Sequence, residues 1–153
     1  MTTRTATAIV TALVLAATGW CRADDGVDAA TMARIAQFDK GPSTVDVSHY
    51  PEAIQKDYRT FRMKCSVCHT LARPINSDFS LPDEWSRYVK RMMHKPGSMI
   101  SPKDAKNIYT FLVYDSSVRK HEQLEAKLAK LPAADQSAEK AKIAELHQEY
   151  GAK

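Results

Sequence analysis

The run Cys65-Ser66-Val67-Cys68-His69 places two thiols three residues apart, with an imidazole immediately after the second. Three chemistries use such a pair: a redox dithiol, part of a metal site, and the attachment points of a covalent haem. One helical turn brings both sulfurs to the same edge of a macrocycle, where each adds to a vinyl group. The adjacent His69 is then turned beneath the ring to give its nitrogen to iron. The C-x-x-C-H spacing therefore predicts one haem c, covalent through Cys65 and Cys68, with His69 as an axial ligand. A zinc site needs two further ligands, and His49, His94, His121 and His147 are scattered with no second close pair. A dithiol site needs a preceding strand and a parallel sheet, whereas Ile54 to Lys64 is helical in composition.

The sixth position on such an iron decides between an electron carrier and an open site. From Pro82 to Lys95 the chain has a good helix start, with Pro82 where a missing N–H costs nothing and Asp83 and Glu84 favouring the dipole. Trp85, Val89 and Met92 follow at i, i+4 and i+7, so they share one inward stripe. Met92 is the first choice as second axial ligand. The alternatives are Met99, in the loop from Lys95 to Ile100, and then Met93, at the edge of the stripe. Met63 lies on the motif's own helix, Met32 is far upstream, and His94 points off the stripe. A thioether opposite a histidine favours Fe(II) and raises the reduction potential.

Other elements must hold these groups in place. A helix is expected from Pro51 to Lys64 with Ile54, Tyr58 and Phe61 as its stripe. Another is capped by Ser101, with Pro102 and Asp104 in its first turn and Ile108, Phe111 and Leu112 inside. A short helix from Asp28 to Asp39 runs through Met32, Ile35 and Ala36 and is broken by Gly41-Pro42-Ser43. Beyond Tyr114, Leu124, Leu128 and Leu131, then Ile143, Leu146 and Tyr150, predict two helices joined near Pro132 to Asp135. Residues 117–153 carry seven basic and six acidic side chains, which makes neither a membrane-surface helix nor an acidic arm. This segment is expected to pack on the domain, the alternative being that it docks a partner.

A length of 153 residues, 44% apolar and 26% charged, describes one soluble domain and excludes collagen, a coiled-coil rod and a multidomain chain. Arg4 precedes an uncharged apolar run from Ala6 to Ala17, a secretory signal pattern with its best cut after Ala23. The run is short for a membrane span. Acylation of Cys21 is the alternative, opposed by Trp20 where a small residue is wanted. The cut leaves Cys65 and Cys68 as the remaining cysteines. It also removes Arg4 and Arg22 and no acid, so the formal charge of +4 falls to +2, too weak to argue for nucleic acid. The protein is expected to be exported and periplasmic, with no membrane span after the cut.

From about Tyr58 to Tyr114 the sequence resembles the mono-haem class I cytochromes c. The likeness is carried by Cys65-Ser-Val-Cys-His-Thr-Leu71, by Trp85 to Met92 and by Ser101 to Leu112. It looks most like small bacterial members whose methionine ligand lies on or after a tryptophan-bearing helix. The resemblance implies an all-α, cytochrome c-like domain around one covalent haem, in which the final helix crosses the one before the motif. It also implies that the Pro74 carbonyl accepts the second ring N–H of His69. Arg73 and Trp85 are candidates to hold a haem propionate. The expected layout is an export segment at 1–23, an extension at 24–50, the haem domain at 51–116 and a C-terminal helical extension at 117–153. With both axial positions filled there is no open site for a substrate, so the expected function is electron transfer between transient protein donors and acceptors, not catalysis. One alternative is a cytochrome subunit held in a dehydrogenase or reductase complex through 117–153. The other is a five-coordinate gas sensor, which requires that none of Met92, Met93 and Met99 binds iron. Gas-binding four-helix cytochromes carry the motif near their C-terminus, whereas here residues 70–153 follow it.

Overall fold

In the computed structural model, which describes residues 27–151, the apolar stripe ahead of the cysteine pair forms one side of the core. The expected export segment at 1–23, with Cys21, lies outside the described residues. Ile54, Tyr58, Phe61 and Cys65 recur every three or four residues and are buried. They meet Ile108, Phe111 and Leu112, which share a helix face for the same reason. The aromatic rings interlock, with centroids 4.8 Å apart for Tyr58 and Phe111 and 5.1 Å for Phe61 and Phe111.

Seven helices and no strand occur among the described residues. They are α1 (Ala29–Phe38), α2 (Glu52–Cys65), α3 (Ala72–Ile75), α4 (Pro82–Met93), α5 (Pro102–Arg119), α6 (His121–Leu128) and α7 (Ala133–Tyr150). The fold is all-α. Helix α2 packs on α5 in the most extensive pairing among these helices, and α4 packs against α5 beside it. Among the described residues no helix is long and apolar enough to cross a membrane.

The start of α5 is built as its sequence requires. Ser101 Oγ accepts the Asp104 N–H at 3.1 Å, and the Asp104 carboxylate accepts the Ser101 N–H at 3.0 Å, with Pro102 at the first helical position. Ser101→Ala is expected to lower unfolding stability by about 1 kcal/mol, read as a lower urea midpoint at unchanged slope. A midpoint within error of wild type would show that the cap contributes nothing here. Helix α4 lacks a side-chain cap at Leu81, but the Glu84 carboxylate accepts the N–H groups of Ser80 and Leu81 at 2.9 and 3.0 Å. The Leu81 bond satisfies one orphan donor of this helix start, and Pro82 has no N–H to satisfy.

The C-terminal segment packs on the domain. Helix α5 runs unbroken across the expected boundary at 116/117, because Val113, Tyr114 and Ser116 continue its buried side. Lys120, with φ −109° and ψ 28°, breaks the chain into α6, and α7 follows Pro132. Leu124, Leu128 and Leu146 are buried. Glu139 of α7 accepts the backbone N–H of Asp83 at 2.9 Å, so a carboxylate from the extension sits at the positive end of α4.

Helix α1 forms where expected, with Asp28 accepting the Thr31 N–H at 3.0 Å, but its inward stripe is Thr31, Ile35 and Phe38. Met32 and Ala36 are exposed. The C-terminal end sets this rotation: Asn76 Nδ2 donates to the Phe38 carbonyl at 3.1 Å and the Pro42 carbonyl at 3.0 Å, and Arg73 pairs with Asp39 at 2.9 Å.

Candidate functional site

The last turn of α2 delivers Cys65 to a cavity of about 360 Å³, a volume in the range of small-molecule and cofactor sites. Cys68 and His69 line the same cavity, as do Met92 from α4 and Met99 from the following loop. Most of the remaining lining is apolar or aromatic, from Ile35 and Phe38 of α1, Phe79, Tyr88 and Ile100. Among the described residues, basic side chains reach it from Arg34, Lys64, Arg73, Arg91 and Lys95, against the single carboxylate of Asp78.

The ring of His69 is held by hydrogen bonding on one side. Nδ1 lies 2.9 Å from the Thr70 carbonyl, which can only accept, so Nδ1 carries the proton and Nε2 presents its lone pair. Nε2 lies 3.5 Å from the Tyr88 hydroxyl. Burial holds the His69 pKa below its ordinary value, so the neutral imidazole that binds metals prevails at neutral pH. Burial also pushes the Cys65 thiol up to about 12, with Cys68 adding to the effect. A redox dithiol needs the reverse, an attacking thiol whose pKa is lowered toward ambient pH. Among the described residues no three histidine, cysteine or acidic side chains group together as a metal-ion site.

The candidate methionines separate by position. Met92 is half-buried, packs against the core and lines the cavity. Met99 lines it from an exposed loop, with 66% of its surface accessible. Met93 is half-buried and Met32 and Met63 are exposed, and none of the three is among the lining residues.

The loop that presents Met99 is a tight turn. Ser98 N–H donates to the Lys95 carbonyl at 3.0 Å across Pro96 and Gly97, and Gly97 has φ 77°. Proline followed by a residue at positive φ is the type II pattern, and glycine adopts that conformation without steric cost. Beyond the turn, Lys64 Nζ donates to the Met99 carbonyl at 3.1 Å and pairs with Asp104 at 3.1 Å, fastening the loop to α2 and α5. Gly97→Ala is expected to cost about 1–2 kcal/mol. Amide chemical-shift changes should be confined to residues 95–100. An alanine variant of wild-type stability would mean the turn is not held in this form.

Of the remaining site candidates Arg73 lines the cavity and Trp85 and Pro74 do not. Trp85 is 1% exposed and stands behind the cavity wall: its indole N–H donates to Ser116 Oγ at 2.8 Å inside the core. Its ring backs Phe79 and Tyr88, which do face the cavity, with centroids 5.5 and 5.7 Å away. Arg73 lines the cavity but its guanidinium also holds Asp39, through Nε at 3.4 Å and Nη2 at 2.9 Å. The Pro74 carbonyl accepts from Ser77, from Oγ at 2.9 Å and from N–H at 3.3 Å, while the His69 Nδ1 proton goes to Thr70. A helical turn at 72–75 makes the Ser77 bond local and short-range, which is why Pro74 is engaged there.

Ile35, Phe38, Phe79, Tyr88 and Ile100 are among the lining residues that the sequence did not mark as site residues. Tyr88 had a signal, standing one turn beyond Trp85. Phe79 and Ile100 sit in loops, where no periodicity marks an inward position. In comparisons with known proteins, no family model, no curated protein and no solved structure matches the chain.

Proposed function

We propose that this chain is an exported, periplasmic electron-transfer protein with a cytochrome c-like domain, carrying one haem bound covalently by Cys65 and Cys68 and axially by His69. A methionine would hold the iron opposite His69, Met92 in the first instance and Met99 otherwise. One observation carries the reading: both thiols and the imidazole of the C-x-x-C-H motif line the same largely apolar cavity as two candidate thioethers. The donor set fits the group, since thiols suit attachment and imidazole with thioether suits haem iron. When bound, the haem supplies a one-electron couple between ferrous and ferric iron.

The chain's own residues do the rest. Each thiol S–H would add across one vinyl C=C of such a group, so nothing would leave and no oxidant would be consumed. His69 offers Nε2 because Thr70 fixes the proton on Nδ1. Ile35, Phe38, Phe79 and Ile100 keep water from the cavity, which stabilises the less charged ferrous state. The basic side chains around it offset the carboxylates such a group carries. Helices α6 and α7 bury Leu124, Leu128 and Leu146 against the domain, which favours packing over anchorage in a larger complex as the role of 117–153.

The test is expression in a host that attaches haem c, with Met92→Ala and Met99→Ala beside the wild type. A mass increase of one haem is expected, together with the weak far-red band of sulfur-to-ferric-haem charge transfer. One variant should lose that band and bind carbon monoxide when reduced. A wild type without the band that takes up carbon monoxide readily would replace the carrier reading with sensing or catalysis. A protein that takes up no haem would end the proposal.

A further inference from the structure

Helix α1 buries none of its residues, although it carries an apolar stripe. A ten-residue helix has little stability of its own in water, so its face must be desolvated by something. Thr31, Ile35 and Phe38 lie at i, i+4 and i+7, and all three line the cavity that Cys65, Cys68 and His69 also line. The helix is fastened at its C-terminal end, by Asn76 to the Phe38 and Pro42 carbonyls and by Arg73 to Asp39, and it packs on α3 just beyond the motif. Its N-terminal end has the local Asp28 cap.

We infer that α1, outside the stretch that resembles a cytochrome, is a wall of the haem pocket, with Ile35 and Phe38 packing directly on the macrocycle. The inference rests on the covalent-haem reading above. The anchored end fixes which way the stripe faces, and the occupant of the cavity supplies the apolar surface that the stripe lacks. Residues 29–38 are thus a part of the binding site contributed from ahead of the motif. They cover one side of the group and leave the rim near exposed Val67 and Met99 as the open side. Ordering of α1 depends on the haem, while ordering of α2 and α5 rests on their own buried interface.

The experiment is NMR of the reduced, haem-loaded protein. Cross-relaxation between haem protons and both the Ile35 methyls and the Phe38 ring is expected, with the Ile35 methyls shifted upfield by the ring current. An Ile35→Ser/Phe38→Ser variant is compared with the wild type on chains whose mass shows one haem each. Its amides at 29–38 should exchange with solvent at least tenfold faster, with those of α2 and α5 unchanged. Ile35 methyls at ordinary shifts without haem contacts, in a protein whose mass shows one haem, would overturn this inference and leave the function standing. Unchanged exchange at 29–38 in the variant would overturn it likewise. A chain that takes up no haem would overturn both.

Discussion

Phe111→Ala is expected to lower unfolding stability by about 3–5 kcal/mol, the range for truncating a fully buried aromatic side chain. Phe111 is 0% exposed and lies between Tyr58 and Phe61 at the α2–α5 interface. The loss has two parts: the transfer free energy of the ring, and the cavity left because two rigid aromatic neighbours collapse into it poorly. The same interface holds the last turn of α2, which ends at Cys65. Loosening it should therefore also lower the yield of haem attachment. Urea unfolding of the haem-loaded proteins measures the first effect and haem content per chain the second. A loss below 1 kcal/mol would mean that α2 and α5 do not depend on this contact.

Periodicity made most of the helices legible. Ile54, Tyr58 and Phe61 on one side and Ile108, Phe111 and Leu112 on the other are spaced for single faces, and those faces meet. Ser101-Pro102 and Pro82 mark starts that the backbone uses because capping is local chemistry. The inward face of α1 was not legible. Its hydrophobic residues Met32, Ile35, Ala36 and Phe38 admit two stripes, and the choice between them is made by Asn76 and Arg73, more than thirty residues away.

The site was legible as far as its sequence signals were local. Cys65, Cys68 and His69 are neighbours, and Met92 shares a helix with Trp85. Trp85 shows where such reasoning stops, because a stripe identifies an inward side chain without saying what its polar atom meets. Its N–H turns toward Ser116 on α5 and away from the cavity, a partner thirty-one positions along the chain. The Pro74 carbonyl was anticipated from the resemblance, and a four-residue helix instead turns it toward Ser77. Hydrogen-bond partners across turns and helix pairs depend on tertiary placement, for which apolar spacing carries no signal.

The second large effect lies in the C-terminal segment. Lys120, 9% exposed, donates from Nζ to the Ser77 carbonyl at 2.8 Å and the Phe79 carbonyl at 3.0 Å, with the Trp85 ring centroid 5.2 Å away. Arg119 donates to the Ile75 carbonyl at 3.0 Å, and Gln123 and Lys127 both donate to that of Asp78. One stretch of the α5–α6 junction thus supplies donors to the carbonyls of Ile75, Ser77, Asp78 and Phe79, and the last three of these residues line the cavity. Lys120→Met keeps the chain length and removes the donors, so two carbonyls lose their partner. A net loss of about 2–3 kcal/mol is expected, the orphaned carbonyls outweighing relief of a buried charge. The pH dependence separates this from simple packing. Burial lowers the Lys120 pKa to about 8 from its ordinary 10.5, so between those values the unfolded chain binds more protons than the folded one. Wild-type stability from this amine is therefore least below pH 8 and rises across the window. The wild-type advantage over the variant should widen by about 1–2 kcal/mol between pH 7.5 and 9.5, since groups common to both proteins cancel. Denaturant unfolding at the two pH values measures it. An advantage that stayed constant would mean that the amine is as well solvated in the folded chain as in the unfolded one, and one that narrowed would mean that the carbonyls stabilise the charged amine by more than its burial costs.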